Sequence, residues 1–384
     1  MNRELRSFVA NTKVIFGPGA VVELPEKIKR FTPSRAVIVT TAEVVETGCI
    51  DTVKDLLSFA GVPVVLFDGV VSNPTLESVQ VGLDAVGRQA GDVLVAVGGG
   101  SAIDTAKAMA LGTSAADGLR EFAGYNKIAG PLLPVIAVPS TAGSGSEVSD
   151  WTVLTDAGSR LIIGSPRLAP VWAVCDPELT VTVPPEMTAY TGIDGLTHAI
   201  EAYLSKRSWS LPDAIALGAA YRINRALLKA YKDGADMDAR NRLMTASIMA
   251  GIALNNCGLG IAHALSNPIG AMTDAPHGLI NTILLPPVME FNLEACTGKC
   301  AALAGVLGVE VGGLSEMEAG RATVDRVRAL IAEVGLADRR FGDLGLSEAD
   351  IPTIVEGAMS SGNIPLNPRP VEPEDLAGIC REVL

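Results

Sequence analysis

The chain is poor in the side chains that most often carry recognisable chemistry. Among its 384 residues are three histidines, six cysteines and only 4% aromatics. Cys49, Cys175, Cys257, Cys296, Cys300 and Cys380 are scattered, with no CxxC pair and none next to a histidine. That pattern argues against a disulfide framework or a zinc knuckle and for reduced thiols. Positive charge is in deficit: 30 Lys and Arg against 43 Asp and Glu leave a net charge of −13. Nucleic acid and anionic membranes both demand a basic surface, so neither is expected as a partner. Apolar residues make up 48% of the chain, yet no uninterrupted run reaches the roughly 18 residues of a membrane span. The start, MNRELRSFVANTKVIFG, lacks the apolar centre of a secretory signal, which sets a cytoplasmic location as the expectation.

What is present divides the chain in two. Arg35–Thr40, Val62–Phe67, Asp92–Val97 and Pro134–Val138 are short, β-branched runs bounded by Gly or Pro, as in strands buried on both faces. Helical spacing lies between them at Val45–Ala60, Leu76–Gln89 and Ala102–Leu111. Such alternation predicts βαβ units and a parallel sheet covered by helices, with ligands at the carboxyl ends of the strands. After Asp176–Glu186 and the pair Pro184–Pro185 the pattern turns almost wholly helical, with Ala-rich stretches at Asp213–Lys232 and Ala239–Leu254. The expected domains are therefore an α/β domain over 1–181 and a helical domain over 182–384.

Three loops of the first domain would open at one edge of the sheet. GGGSAIDTAK, Gly98–Lys107, follows a predicted strand directly; its glycines admit close backbone approach, and the next helix presents free N–H groups suited to a phosphate. The same residues also read as a strand-to-helix turn, with Ser101 and Asp104 as a capping box and Asp104 and Lys107 as a simple pair. SNPT, Ser72–Thr75, and PSTAGSGSE, Pro139–Glu147, follow two further strands and add Asn73, Thr141 and Ser144. Three converging loops favour a dinucleotide over three separate turns.

All three histidines lie in the second domain, in GIDGLTHAIEAY, GLGIAHALSNPIG and APHGLINTILLPP. Asp194 precedes His198 by four residues, so a helix sets carboxylate and imidazole on one face. Alone, that pair reads equally as a surface contact. One carboxylate gathered with His198, His263 and His277 would instead suit a divalent transition metal such as Fe²⁺ or Zn²⁺.

The combination of FGPGA, GGGSAIDTAK, PSTAGSGSE, DPELT, GIDGLTHAIEAY, GLGIAHALSNPIGA and PHGLINTILLPPVMEFN resembles the iron-dependent (group III) alcohol dehydrogenase family along nearly the whole chain. The resemblance implies an α/β, Rossmann-like parallel-sheet domain, then an all-α C-terminal domain. This is the dehydroquinate synthase-like architecture, with an active site in the cleft between the domains. It implies Asp194, His198, His263 and His277 as ligands of Fe²⁺, or of Zn²⁺. For NAD or NADP it implies Gly98, Gly99 and Ser101 on the pyrophosphate, with Asn73, Thr141 and Ser144 around the cofactor. Arg160 would lie near its phosphates and Leu179 against it, and a homo-oligomer, a dimer or larger, is implied.

Three positions depart from the family. Thr41 stands after the first strand of the nucleotide domain where NAD-specific relatives have aspartate, so NADP remains open. Asn267 replaces a histidine that many relatives carry four residues after the third ligand, and Trp151 replaces a smaller polar residue. The implied reaction is hydride transfer between a small primary alcohol and its aldehyde, the metal polarising the substrate oxygen with no protein nucleophile. The alternatives are a zinc-dependent polyol dehydrogenase of the glycerol type, which shares the architecture, and a non-catalytic nucleotide- or metal-binding protein.

Overall fold

The computed structural model, which describes residues 5–87, 92–112 and 116–384, places a strand in each of the four predicted β-branched runs; three are buried on both faces, whereas Val64–Phe67 lies at the sheet edge and is mostly half-buried. The strands are β1 (Lys13–Phe16), β2 (Arg35–Val39), β3 (Val64–Phe67), β4 (Asp92–Gly98), β5 (Gly124–Tyr125), β6 (Val135–Pro139), β7 (Trp151–Asp156), β8 (Ser159–Gly164) and β9 (Trp172–Cys175). Six make one sheet in the order β1-β9-β6-β4-β2-β3, every pair parallel. The alternation of side chains along parallel strands splits its core in two. Val37, Val39, Leu94 and Ala96 face the helices Leu76–Val86 and Gly100–Ala110. Ala36, Ile38, Val93 and Val95 face the helices Leu24–Lys29 and Cys49–Phe59.

Several elements differ from the sequence expectation. β1 was not foreseen because, as an outer strand, it is mostly exposed and carries no buried alternation. The β7–β8 hairpin and β5 form a second, three-stranded sheet in the order β5-β8-β7. Its turn places Ala157 and Gly158 at φ 47° and 79°. Positive φ at both central residues is a type I′ turn, which is usually signalled by Asn-Gly, so alanine concealed it. The expected helix Val45–Ala60 is two helices, Ala42–Glu46 and Cys49–Phe59, separated at Gly48, whose φ is 79°. The helix expected over Leu76–Gln89 ends at Val86 with Gly87 as its cap; Arg88 and Gln89 lie outside the described residues.

The chain folds as two compact units, Ala10–Pro184 and Pro185–Leu384, the latter joined by the described part of Met1–Val9. Val9 is held there by Asn256, whose side chain accepts from its N–H at 2.7 Å and donates to its carbonyl at 2.8 Å. The second unit is built of helices, the longest being Pro185–Leu204, Ser210–Lys232, Met237–Cys257 and Glu316–Glu333, with no strand among its described residues. No single helix among the described residues is long and apolar enough to cross a membrane.

Arg35 fixes the amino ends of β2 and β4. Its Nε and Nη2 donate to the Asp92 carboxylate at 2.8 and 3.0 Å, and Nη2 also reaches the carbonyls of Val86 and Gly87. Asp92 is buried, so truncating Arg35 removes the bidentate guanidinium from a desolvated carboxylate, a change that costs up to about 3–5 kcal/mol. We expect Arg35→Ala to lower the unfolding midpoint in urea markedly. Arg381→Ala, which breaks the exposed pair with Glu348, should change stability by under about 1 kcal/mol.

Candidate metal centre and dinucleotide site

The helix Pro185–Leu204 presents Asp194, His198 and Glu201 along one face, at spacings of four and three residues, and buries all three. The helix His277–Asn292 meets it at Gly278. A Cβ there would lie 2.4 Å from the Tyr190 carbonyl oxygen and 3.3 Å from the Asp194 Cβ, so the approach that sets His277 beside Asp194 requires glycine. His263 lies in the first turn of the helix Ile261–Met272, after Gly260, whose missing Cβ would fall 2.8 Å from Glu201 Oε1.

One ligand atom from each of Asp194, His263 and His277 lies within 4.8 Å of the other two. All three turn toward the side-chain nitrogen of Asn281, which is 2.7 Å from Asp194 Oδ1, 3.1 Å from His263 Nε2 and 3.1 Å from His277 Nε2. An amide NH₂ has two hydrogens, and three acceptors compete for them. The Asn281 Oδ1 is buried with no hydrogen-bond partner among the described residues. A buried carboxylate and two imidazole lone pairs aimed at one point leave the electrostatic demand that a divalent cation satisfies. The residues present therefore fit such an ion.

The tautomer of His263 is assigned by its other nitrogen. Nδ1 is 2.6 Å from Glu201 Oε2, so Nδ1–H donates to the carboxylate and the Nε2 lone pair faces inward. Glu201 Oε1 also accepts from the Ala262 N–H at 2.7 Å, which fixes the carboxylate in turn. His198 stands outside the converging trio; its ring stacks on that of His263, with centroids 4.6 Å apart and planes 24° from parallel. Burial alone would push the Asp194 pKa up. The combined pull of His198, His277 and His263, with the hydrogen bond from Asn281, outweighs it and holds the carboxyl below its ordinary value.

In the first unit, the loops after β2, β3, β4 and β6 leave the same edge of the parallel sheet. Gly98 has φ 152°, and a Cβ on Gly99 would meet Thr141 Oγ1 at 3.0 Å; one on Gly100 would meet Ser144 Cβ at 3.0 Å. The glycine turn and the PSTAGSGSE loop are thus in direct contact, with the Thr141 and Ser144 side chains against the turn. The cap of the helix Gly100–Ala110 is Gly99 and no side chain bonds to it, so Ser101 and Asp104 do not form the expected capping box. Ser101 lies in the helix's first turn. Asp104 instead accepts from the Val153 N–H at 3.0 Å. Lys107 is fully buried and donates to the Trp151 carbonyl at 2.7 Å and the Ser149 carbonyl at 3.0 Å, tying residues 149–151 to this helix. Burial lowers its pKa against the raising effect of Asp104.

Asn73 takes the left-handed conformation, φ 53°, and accepts from Arg160 Nη2 at 3.0 Å, while Arg160 Nη1 donates to Thr155 Oγ1 at 2.9 Å. Arg160 Nε is buried without a partner among the described residues. Burial lowers the pKa of this guanidinium to about 10, so it stays charged at neutral pH. Thr41 caps the helix Ala42–Glu46, accepting from the Val44 N–H, and Val44 lies 4.0 Å from where a Gly98 Cβ would be. Leu179, in the turn Pro177–Thr180 after β9, packs on the sheet core. Trp151 covers Gly164, whose Cβ would fall 2.3 Å from its ring, and leans on Tyr125 with ring centroids 5.3 Å apart. Asn267 is half-buried in the helix Ile261–Met272.

Sequence reasoning overlooked Glu201 and Asn281. Each carried a signal: Glu201 continues the Asp194–His198 face at three further residues, and Asn281 follows His277 by four.

Two family models match the chain: iron-containing alcohol dehydrogenase over residues 11–177, and the C-terminal region of the Fe-containing alcohol dehydrogenase family over 188–384. Among curated relatives, 1,3-propanediol dehydrogenase of Citrobacter freundii is 37% identical, the match covering 96% of each protein. Lactaldehyde reductase of Escherichia coli K12 is 36% identical, covering 96% of this chain and 97% of the relative. A crystal structure of 1,3-propanediol oxidoreductase superposes with a TM-score of 0.95 at 35% identity, covering 99% of this chain and all of the other. With the parallel sheet, the helical second unit and the Asp–His cluster in place, the chain belongs to the iron-containing alcohol dehydrogenase family and is an oxidoreductase that works with NAD(P) between alcohol and aldehyde.

Proposed function

We propose that the chain interconverts a three-carbon primary alcohol, bearing a second oxygen, and its aldehyde. Fe²⁺ would be held by Asp194, His263 and His277, with His198, stacked beside His263, turning in as the fourth ligand. The observation that carries this reading is the convergence of three acceptors on one buried point, with the second nitrogen of His263 committed to Glu201. 1,3-Propanediol dehydrogenase and lactaldehyde reductase are both named for three-carbon molecules with two oxygens. Both family models are of the iron type, which favours this reading over a zinc-dependent polyol dehydrogenase.

A divalent ion bound there supplies Lewis acidity, making an alcohol O–H acidic near neutral pH and, in reverse, polarising a carbonyl. The side chains prepare that place. Asp194 stays ionised and offsets part of the cation's charge, and Glu201 holds the proton on His263 Nδ1 so that Nε2 keeps its lone pair. The dinucleotide would lie along the carboxyl edge of the six-stranded sheet, its pyrophosphate on Gly98, Gly99 and Ser101 with Thr141 and Ser144 alongside. The unpartnered N–H of Arg160 adds a buried positive charge near Asn73 for its phosphates.

NAD is the proposed carrier. Thr41 leaves its own position uncharged, but the Glu43 carboxylate accepts from the Thr41 hydroxyl and from its own N–H, which together hold its pKa down. A carboxylate in the first turn of the helix that follows β2, the strand next to β4 and its glycine turn, would favour a ribose 2′-hydroxyl and repel a 2′-phosphate. A homo-oligomer is part of the same reading, supported by the unpaired outer edge of β1 and its exposed Val14 and Phe16. A cytoplasmic location is supported by six unpaired cysteines.

Three outcomes test this. Glu201→Gln should weaken metal binding by about 10–100-fold in a chelator competition while circular dichroism is unchanged; unaltered affinity would remove Glu201 from the centre. His263→Ala should lose both bound metal and NADH-linked turnover of 1,3-propanediol and lactaldehyde, and in the parent protein Fe²⁺ should restore more activity than Zn²⁺. Glu43→Gln should tighten NADP binding, read by nucleotide fluorescence, by roughly fivefold, the worth of about 1 kcal/mol of relieved repulsion.

A further inference from the structure

The sequence CTGKC, Cys296–Cys300, brings two thiols together away from the residues assigned above. Their sulfurs are 3.6 Å apart. The Cys300 N–H donates to the Cys296 carbonyl at 3.0 Å, closing one helical turn. That turn sets the Cα atoms about 6 Å apart, inside the range a disulfide spans. Cys296, with φ −141° and ψ 33°, sits at the break between the turn Leu293–Ala295, which it caps through its N–H to the Leu293 carbonyl, and the helix Thr297–Val306. It is half-buried, whereas Cys300 is fully buried under the helix Glu316–Glu333, where Thr323 donates to its carbonyl at 2.8 Å.

We propose that Cys296 and Cys300 form a peroxide-reactive dithiol, Cys296 as the attacking sulfur and Cys300 as the resolving one. The Cys296 thiolate attacks one oxygen of a hydroperoxide and the O–O bond breaks. The alkoxide, or hydroxide from hydrogen peroxide, leaves and takes up a proton, and Cys296 is oxidised by two electrons to a sulfenic acid. The Cys300 sulfur then attacks the Cys296 sulfur and expels hydroxide, which combines with the Cys300 proton as water. Two thiols and one hydroperoxide thus yield one disulfide, one alcohol or water, and one further water.

The electrostatics agree with this division. The Cys300 S–H donates toward Cys296, and with the nearby Lys299 it holds the Cys296 thiol below its ordinary pKa; the same contact, with burial, pushes Cys300 up. Protonated Cys296 donates to the Asn292 carbonyl at 3.0 Å. The remaining cysteines are shifted the other way by burial, Cys257 to about 11, Cys380 to about 12, Cys175 well above its usual value and Cys49 upward. A thiolate that reaches solvent beside a second thiol is what selective oxidation requires.

The test treats the full chain, loaded with Zn²⁺ so that no redox-active metal meets the oxidant, with a small excess of hydrogen peroxide. Remaining thiols are alkylated and peptides are mapped by mass spectrometry. The expected result is a dithiothreitol-reversible Cys296–Cys300 disulfide formed before any other cysteine is oxidised. Cys300→Ser should leave a dimedone-reactive sulfenic acid on Cys296, and Cys296→Ser should abolish oxidation at Cys300. Oxidation of Cys49 ahead of the pair, or no dimedone adduct in folded Cys300→Ser, would overturn the proposal.

Discussion

The hydrogen bond from His263 Nδ1 to Glu201 is the constraint on which the centre depends. With that nitrogen committed at 2.6 Å, the imidazole has one tautomer and one orientation, and its remaining lone pair faces Asp194 and His277. Glu201 is itself immobilised by the Ala262 N–H. The result is a set of acceptors whose mutual repulsion in a buried place is relieved only by positive charge. Asn281 supplies a partial one through its amide.

The backbone around these groups is shaped to let them meet. Gly278 and Gly260 stand where a side chain would strike the Tyr190 carbonyl or Glu201, so two helices reach the Asp194 face with no Cβ in the way. In the α/β unit the same device recurs at Gly99 and Gly100, where the close approach of Thr141 and Ser144 makes a small, polar, strand-end surface. Lys107 holds that surface from beneath, its ammonium fully buried among backbone carbonyls of residues 149 and 151.

Much of this was legible in the residues. β2, β4 and β6 could be read because burial on both faces leaves an unbroken β-branched run, and β3, though half-buried at the edge, keeps the same composition. β1 hid at an edge, and the β7–β8 hairpin hid behind an Ala-Gly turn. Spacing alone paired Asp194 with His198 but left a surface contact equally open; the full ligand set came from likeness to a family. Glu201 shares the Asp194–His198 face by spacing, but a glutamate on a helix normally reads as a solvated charge, so the spacing gave it no role. Only the fold, which brings His263 to it across 62 positions of sequence, makes it a buried acceptor. Thr41 itself carries no charge, and the carboxylate two residues on, Glu43, is one that spacing did not mark because its link to Thr41 runs through the hydroxyl.

The account stands most directly on where a metal sits. Crystals of iron-loaded protein, measured on both sides of the iron absorption edge, should give a single strong anomalous peak bonded to Asp194, His263 and His277. A peak elsewhere, or iron bound in solution with none of these three side chains touching it, would contradict the central claim.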